Sequence, residues 1–322
     1  MELPLDLVRT LAAVVSTGSL DAAATELHIT PSAVSQRLKA LESRLGRVLL
    51  VRSKPVHPTP AGEAVVRLAR QLDALEHDTL TELGVGELGR TEVPLAVNAD
   101  SLATWFLPAL APLVEQGLSF ELHRDDQDYT AGLLESGTVS AAVTSQSAPV
   151  AGCSVRPLGA MRYLPVAHPS LVYRFELHTG FAGFADAPVV DFDRRDDLQT
   201  RYLQRLGIDP ARPPRNRIPA SSDYARAIEL GFGWGLVPEY QSADAIASGS
   251  LRRLPGPPVD IPLYWQRWKL RSSLLETIED AIISGARSSL IPIESHQALT
   301  DGAHARPNLG GMRVIQPPAP AG

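Results

Sequence analysis

The chain has 322 residues, 44% of them hydrophobic and 20% charged, which is enough for two or three folding units, each with a core. No apolar run approaches the roughly 18 residues of a membrane span, and an N-terminus bearing Glu2 and Asp6 lacks the pattern of a secretion signal, so no membrane partner is expected and the cytoplasm is the expected compartment. The net charge of -6 excludes a uniformly basic protein, yet residues 1–60 carry seven Lys or Arg against five Asp or Glu, so the positive surface is local.

In chain order, Leu7, Val8, Leu11, Val14 and Val15 recur at helical spacing and stop at Gly18, predicting a first helix from Leu5. Ser19 caps a second helix through Leu27, whose Ala22, Ala23 and Ala24 permit close helix contact. After the turn His28-Ile29, Thr30 caps a third helix that has Pro31 at its first position and Gly46 at its end. Val34, Leu38, Leu41 and Leu45 form its buried stripe, leaving Ser32, Ser35, Gln36 and Lys39 on other faces. Val48 to Val51 followed by Arg52-Ser53-Lys54-Pro55 reads as the strand and turn of a wing. Two helices joined by a tight turn, the second opening with short polar side chains and Gln, suit a helix-turn-helix that reads the major groove. Ser and Gln can reach base edges there, while Arg and Lys hold phosphates. A plain three-helix bundle with a solvated basic face fits the periodicity too.

Thr59-Pro60 opens a further helix in which Val65, Leu68, Leu72 and Leu75 alternate at three- and four-residue intervals. This heptad seam calls for a partner, either a second copy or the rest of the chain. Gly84, Gly86 and Gly89 mark a hinge. Beyond residue 91, strand-like and helix-like runs alternate in α/β order: Val93 to Val97, Leu102 to Leu113, Ser119 to Leu122, Tyr129 to Leu134, Ala141 to Thr144, Pro188 to Phe192, Ser222 to Leu230, Trp234 to Val237, Leu263 to Trp268 and Ser272 to Ile283. Cys153, the one cysteine, reads as a buried small apolar residue in a chain without disulfides.

The run from Leu5 to Gly62 resembles the DNA-binding domain of the LysR-type transcriptional regulators. The matching features are Gly-Ser before the Ala-rich helix, Thr-Pro-Ser-Ala-Val-Ser-Gln, Leu-Glu followed by Leu-Gly, and Arg followed by Thr-Pro-x-Gly. Farther along, LAVNADSLATWFLPALAP, AVTSQ, APVVDFDRRDDLQ and LYWQRW resemble the LysG/ArgP subgroup, which responds to lysine and arginine and activates genes for basic amino-acid export. The resemblance implies an N-terminal winged helix-turn-helix, mainly α, then a linker helix that pairs antiparallel with its copy, then an α/β two-lobed effector domain like a periplasmic binding protein. The corresponding boundaries are 1–60, 61–90 and 91–290, with lobes 91–162 plus 264–290 and 163–263, and a tail from 291 to 322 expected to be disordered. The implied DNA contacts are Thr30, Pro31, Ser32, Ala33, Ser35, Gln36, Arg37, Lys39, Arg52 and Lys54. The implied partners are double-stranded DNA, RNA polymerase, a small effector, and further copies in a homodimer or homotetramer.

In open α/β sheets ligands bind beyond the carboxyl ends of strands. This picks out Asp100, Ser101, Thr104, Trp105, Thr144, Asp193, Ser221, Ser222 and Asp223 as effector residues, with Asp197 a further carboxylate. An ammonium or guanidinium group needs such a carboxylate. Each of these acids also suits a helix cap or a surface charge, and Trp105 also suits a core. No G-x-S-x-G, G-x-x-x-x-G-K-[ST] or H-E-x-x-H occurs, and Gly231 to Gly235 reads as a helix end and turn. No catalytic residue, metal or cofactor is expected; an exported solute-binding protein is the alternative from another class.

Overall fold

The structure is a computed structural model that describes residues 2–51, 53–84, 92–124 and 130–293. Arg52, Gly86, Gly89, Tyr129 and the tail from 294 onward lie outside the described residues.

The first three helices form where their caps predict. They are α1 (Leu5–Thr17), α2 (Leu20–Glu26) and α3 (Pro31–Leu45). Gly18 and Gly46 end α1 and α3 in the left-handed conformation that a side chain resists. Ser19 accepts from the Ala22 amide and Thr30 from the Ala33 amide. Val8, Leu11, Val14, Ala23, Val34, Leu38 and Leu41 close one core between them. Leu45, expected in the buried stripe, is only partly covered at the helix end. The wing strands β1 (Leu50–Val51) and β2 (His57–Pro58) pair antiparallel. The expected strand at 48–51 is shorter because Val48 and Leu49 are held instead by Thr59: its hydroxyl donates to the Val48 carbonyl at 2.7 Å and its amide to the Leu49 carbonyl at 2.8 Å.

The linker helix α4 (Pro60–Glu82) starts against the wing. A Cβ on Gly62 would lie 2.1 Å from the Leu49 carbonyl oxygen, so glycine alone permits this approach. Val65 departs from its expected place in the seam: with Val66 and Ala69 it is buried in the head's own core. Farther along, Leu68 and Leu72 are half-buried and Leu75, Leu80 and Leu83 are exposed. Arg9 of α1 pairs with Asp73 at 3.5 Å and with Glu76, tying the head to the helix.

The second unit is built on one seven-stranded mixed sheet. Its strands are β3 (Glu92–Val97), β4 (Ser119–Arg124), β5 (Ala141–Thr144), β6 (Cys153–Ala167), β9 (Gly235–Pro238), β10 (Arg252–Arg253) and β11 (Val259–Trp268). The order is β10-β6-β11-β5-β3-β4, with β9 also on β6. β3 runs parallel to β4 and β5, while β6 and β11 cross antiparallel from this lobe into the next. A short parallel pair, β7 (Val189–Asp191) and β8 (Arg215–Arg217), belongs to the second lobe. Around the sheet lie α5 (Ala99–Ser101), α6 (Leu107–Glu115), α7 (Thr130–Glu135), α8 (Pro169–Arg174), α9 (Leu198–Arg205), α10 (Ser221–Glu229), α11 (Glu239–Ser248) and α12 (Ser273–Ser289). The helix expected at Leu102–Leu113 begins at Ala99 and passes through a π turn at Leu102–Phe106 before α6. The strand β6, missed by the sequence reading, carries Cys153, which is buried.

Asp78 of α4 reaches the second unit. Its Oδ1 accepts from the Leu274 amide at 3.0 Å and the Ser273 hydroxyl at 2.8 Å, at the start of α12. Arg67 donates to the Glu135 carbonyl at 2.7 Å.

Candidate functional site

Two surfaces carry chemistry. On the head, α3 turns its apolar side inward and its first two turns outward: Thr30, Pro31, Ser32, Gln36 and Lys39 are exposed, and Ala33 and Ser35 are partly so. Lys54 is exposed at the wing. An exposed helix start with short polar side chains, flanked by lysines, can enter a groove and hold phosphates. Arg37 points elsewhere. Its guanidinium reaches Thr10 at 3.4 Å and Asp6 at 3.9 Å, so it braces α3 on α1. Glu42, on the same helix, accepts the Leu49 amide at 2.9 Å and fixes the start of the wing.

The second surface is the cleft between lobes, at the carboxyl ends of β3 and β5. The pairing of Ala96 with Ala142 places Asn98 beside Thr144 two residues on. Asn98 caps α5 by accepting from the Ser101 amide at 3.0 Å. The next side chain, Asp100, accepts from the Tyr163 hydroxyl at 2.7 Å, and the Ser221 hydroxyl, 3.4 Å from Gln241 Oε1, lies near enough to favour its charged form. Tyr163 lies on β6 and Ser221 opens α10 of the other lobe, so three elements meet at one carboxylate. Arg124, at the end of β4, also crosses the cleft to the Pro219 carbonyl at 3.2 Å.

The electrostatics are those of an anionic site. Asp100 as a residue keeps a partly open face, but its carboxylate is enclosed, and desolvation raises its pKa against the Tyr163 and Ser221 hydroxyls. Desolvation likewise raises Asp196, whose carboxylate accepts from the Phe192 and Leu198 amides, each at 3.0 Å; the charges of Asp191 and Asp100 add to the rise. Burial pushes Tyr163 and Tyr224 well above the usual tyrosine range, with Asp100 and Asp196 contributing to both. The buried Tyr224 hydroxyl accepts from Gln199 at 2.6 Å and donates to the Val190 carbonyl at 3.0 Å.

Of the residues singled out from sequence, Asp100 and Ser221 lie together here, Thr144 ends the neighbouring strand beside Asn98, and Ser101 is buried next to Asp100 with its hydroxyl unpartnered. Thr104 does not join them: its hydroxyl turns back to the Asp100 carbonyl at 2.7 Å. Trp105 is 3% exposed, set edge-on to Phe106 in the main core. Both instead border a separate cavity of about 180 Å³ with Met161, Arg162, Glu239 and Tyr240. Asp193 caps the amides of Arg195 and Asp196, and Asp197 pairs with Arg201. Ser222 and Asp223 are exposed on the first turn of α10. Asn98 falls within the strand-end stretch 98–104 that the sequence marks, whereas Tyr163, Asp196, Gln199 and Tyr224 carry no such signal; Asp196 stands in the acidic run three residues beyond Asp193. Among the described residues no group of three or more His, Cys, Asp or Glu is placed to hold a metal, and no single helix is long and apolar enough to cross a membrane.

A winged helix-turn-helix carried on a long helix, followed by a two-lobed domain with a polar cleft, defines a ligand-governed DNA-binding transcription regulator. The model of the bacterial regulatory helix-turn-helix protein, lysR family, matches residues 5–63, and that of the LysR substrate binding domain matches residues 87–287. The chain belongs to the LysR family of transcription regulators. It is 42% identical over 283 residues to the lysine export transcriptional regulatory protein LysG of Corynebacterium efficiens, spanning 87% of this chain and 97% of that one. The crystal structure of ArgP from Mycobacterium tuberculosis is similar at a TM-score of 0.78 and 43% identity, covering 91% of this chain and 100% of that one. Full-length LysG from Corynebacterium glutamicum with bound effector Arg gives a TM-score of 0.71 and 38% identity, covering 90% of this chain and 100% of that one.

Proposed function

We propose that this regulator works in the cytoplasm, binds promoter DNA as a dimer or a dimer of dimers, and responds to L-lysine or L-arginine held between its lobes to control a basic amino-acid exporter gene. The observation that carries the reading is the buried acidic cluster at the cleft: Asp191 is paired with Arg215 at 2.7 Å, whereas the carboxylates of Asp100 and Asp196 accept from a hydroxyl and from main-chain amides. A buried carboxylate without a positive partner is costly, and a guanidinium or ammonium group supplies that partner. The LysG relative with bound effector Arg supports the same chemistry.

In this reading Ser32, Ser35 and Gln36 face base edges, Lys39, Arg52 and Lys54 hold phosphates, and Thr30, Pro31 and Ala33 shape the helix start. Arg37 braces α3 on α1 behind this surface. The exposed leucines of α4 pair with a second copy, RNA polymerase is the downstream partner, and the lobes divide at 91–162 plus 264–290 and 163–263. Effector binding regulates because the ligand favours one arrangement of lobes over another. Calorimetric titration of the full chain with L-lysine, L-arginine and the uncharged isostere L-norleucine tests this. The expected result is saturable binding of the two cationic amino acids alone; norleucine binding as tightly as lysine would overturn it.

A further inference from the structure

The strand LYWQRW, which marked the subgroup in the sequence, holds a polar side chain where an apolar one would pack. Gln266 is fully buried on β11 between the buried Trp265 and Trp268, opposite Ala142 of β5 and Val155 of β6. A buried amide costs stability unless it is hydrogen-bonded. Its partners are not in the sheet. The carboxamide oxygen accepts from the Val150 amide at 2.8 Å, and the nitrogen donates to the carbonyls of Gln146 at 3.0 Å and Ala148 at 2.9 Å. Both amide hydrogens and an oxygen lone pair are thus spent on the main chain of one short loop.

That loop, 145–150, follows directly from Thr144, the residue beside Asn98 at the cleft. It has no ladder or helix of its own, and the Thr144 hydroxyl accepts from the Gln146 amide at 3.1 Å as the chain leaves the strand. Ser145 and Gln146 are partly exposed, whereas Gln266 behind them is sealed. We infer that Gln266 is a positioning residue for the effector cleft: from beneath, it fixes the 145–150 loop so that Thr144 to Gln146 stand as the first lobe's wall against the bound amino acid. This rests on the reading of the cleft given above. Gln266 touches no ligand itself and acts through the loop.

The test uses the full chain and three variants. Gln266→Glu keeps the shape but sets a carboxylate against two carbonyl oxygens, and Gln266→Met keeps the packing without any loop bond. Glu279→Gln is the fold control, since Glu279 is buried and joins Arg267 and Arg156 next to Gln266 without touching the loop. All three should melt lower than wild type. Only the Gln266 variants should weaken L-arginine binding, by about tenfold or more, and speed hydrogen exchange at the Val150 amide; the Glu279 variant should leave both unchanged. Wild-type affinity in Gln266→Met, or an equal loss in Glu279→Gln, overturns the inference. A wild-type protein that ignores cationic amino acids defeats the effector reading instead, and the Val150 exchange rate then still decides whether Gln266 holds the loop.

Discussion

Replacing Asp100 with asparagine separates the stability of the cleft from its function. In the folded protein burial raises the pKa of this carboxyl above its unfolded value, so the native state favours the protonated form. The stabilisation linked to that proton is present at low pH and is lost as pH rises through the raised folded-state value. Asparagine removes the charge and keeps an acceptor for the Tyr163 hydroxyl, now 2.7 Å from Oδ2. The free variant should therefore melt higher than wild type at neutral pH and show a flatter dependence on pH. Toward a cationic effector the change works the other way. Hydrogen bonds to charged groups are worth about 1.5–3 kcal/mol, so binding should weaken roughly ten- to hundredfold. At an L-arginine concentration one hundred times the wild-type Kd, the ligand stabilises wild type by about 2.7 kcal/mol, against roughly 0.4 kcal/mol for a variant binding a hundredfold more weakly. Thermal melts with and without L-arginine, between pH 5 and 8, read both effects. A variant no more stable than wild type when free, yet shifted equally by arginine, would refute the electrostatic argument.

Two further substitutions test the head and the linker. Gln36→Ala should cost about 1–3 kcal/mol on operator DNA and much less on random DNA, measured by fluorescence anisotropy; equal losses would reduce Gln36 to generic affinity. Leu75→Glu, at a position 39% exposed in the isolated chain, should dissociate the dimer in sedimentation without changing the melting of the head. Val65→Glu should instead unfold the head, since Val65 is 7% exposed within its core; dimer loss with an intact head in that variant would return Val65 to the seam.

The head was legible because its signals are local. A hydroxyl cap, a proline one residue later and a glycine at the end mark α3 without reference to anything distant, and the structure uses all three. The seam was only half legible, because spacing shows that Val65 and Leu75 share a stripe but not that α1 covers the first and leaves the second bare. The strand β6 was invisible for a different reason. It is covered unevenly, without period-two alternation, and holds Pro157, Gly159 and Pro165. The register shift opposite Leu263 and Tyr264 absorbs Pro157 and Gly159 at a bulge, a device that depends on the partner strand. Losing β6 also hid Tyr163, and with it the cross-lobe bond that draws Asp100 into the site while Asp193 and Asp223 remain caps and surface charges.

The glycine at position 62 has a consequence at the scale of the assembly. With the wing's carbonyl pressed onto the first turn of α4, and Arg9 clasping the same helix about three to four turns on, the reading head has no swivel of its own. Each helix and its head form one rigid lever, so wherever two such levers cross fixes the distance between the recognition helices they carry. An operator whose half-sites are spaced differently must bend or twist to meet them, and shifting the crossing point changes the DNA curvature that the protein demands.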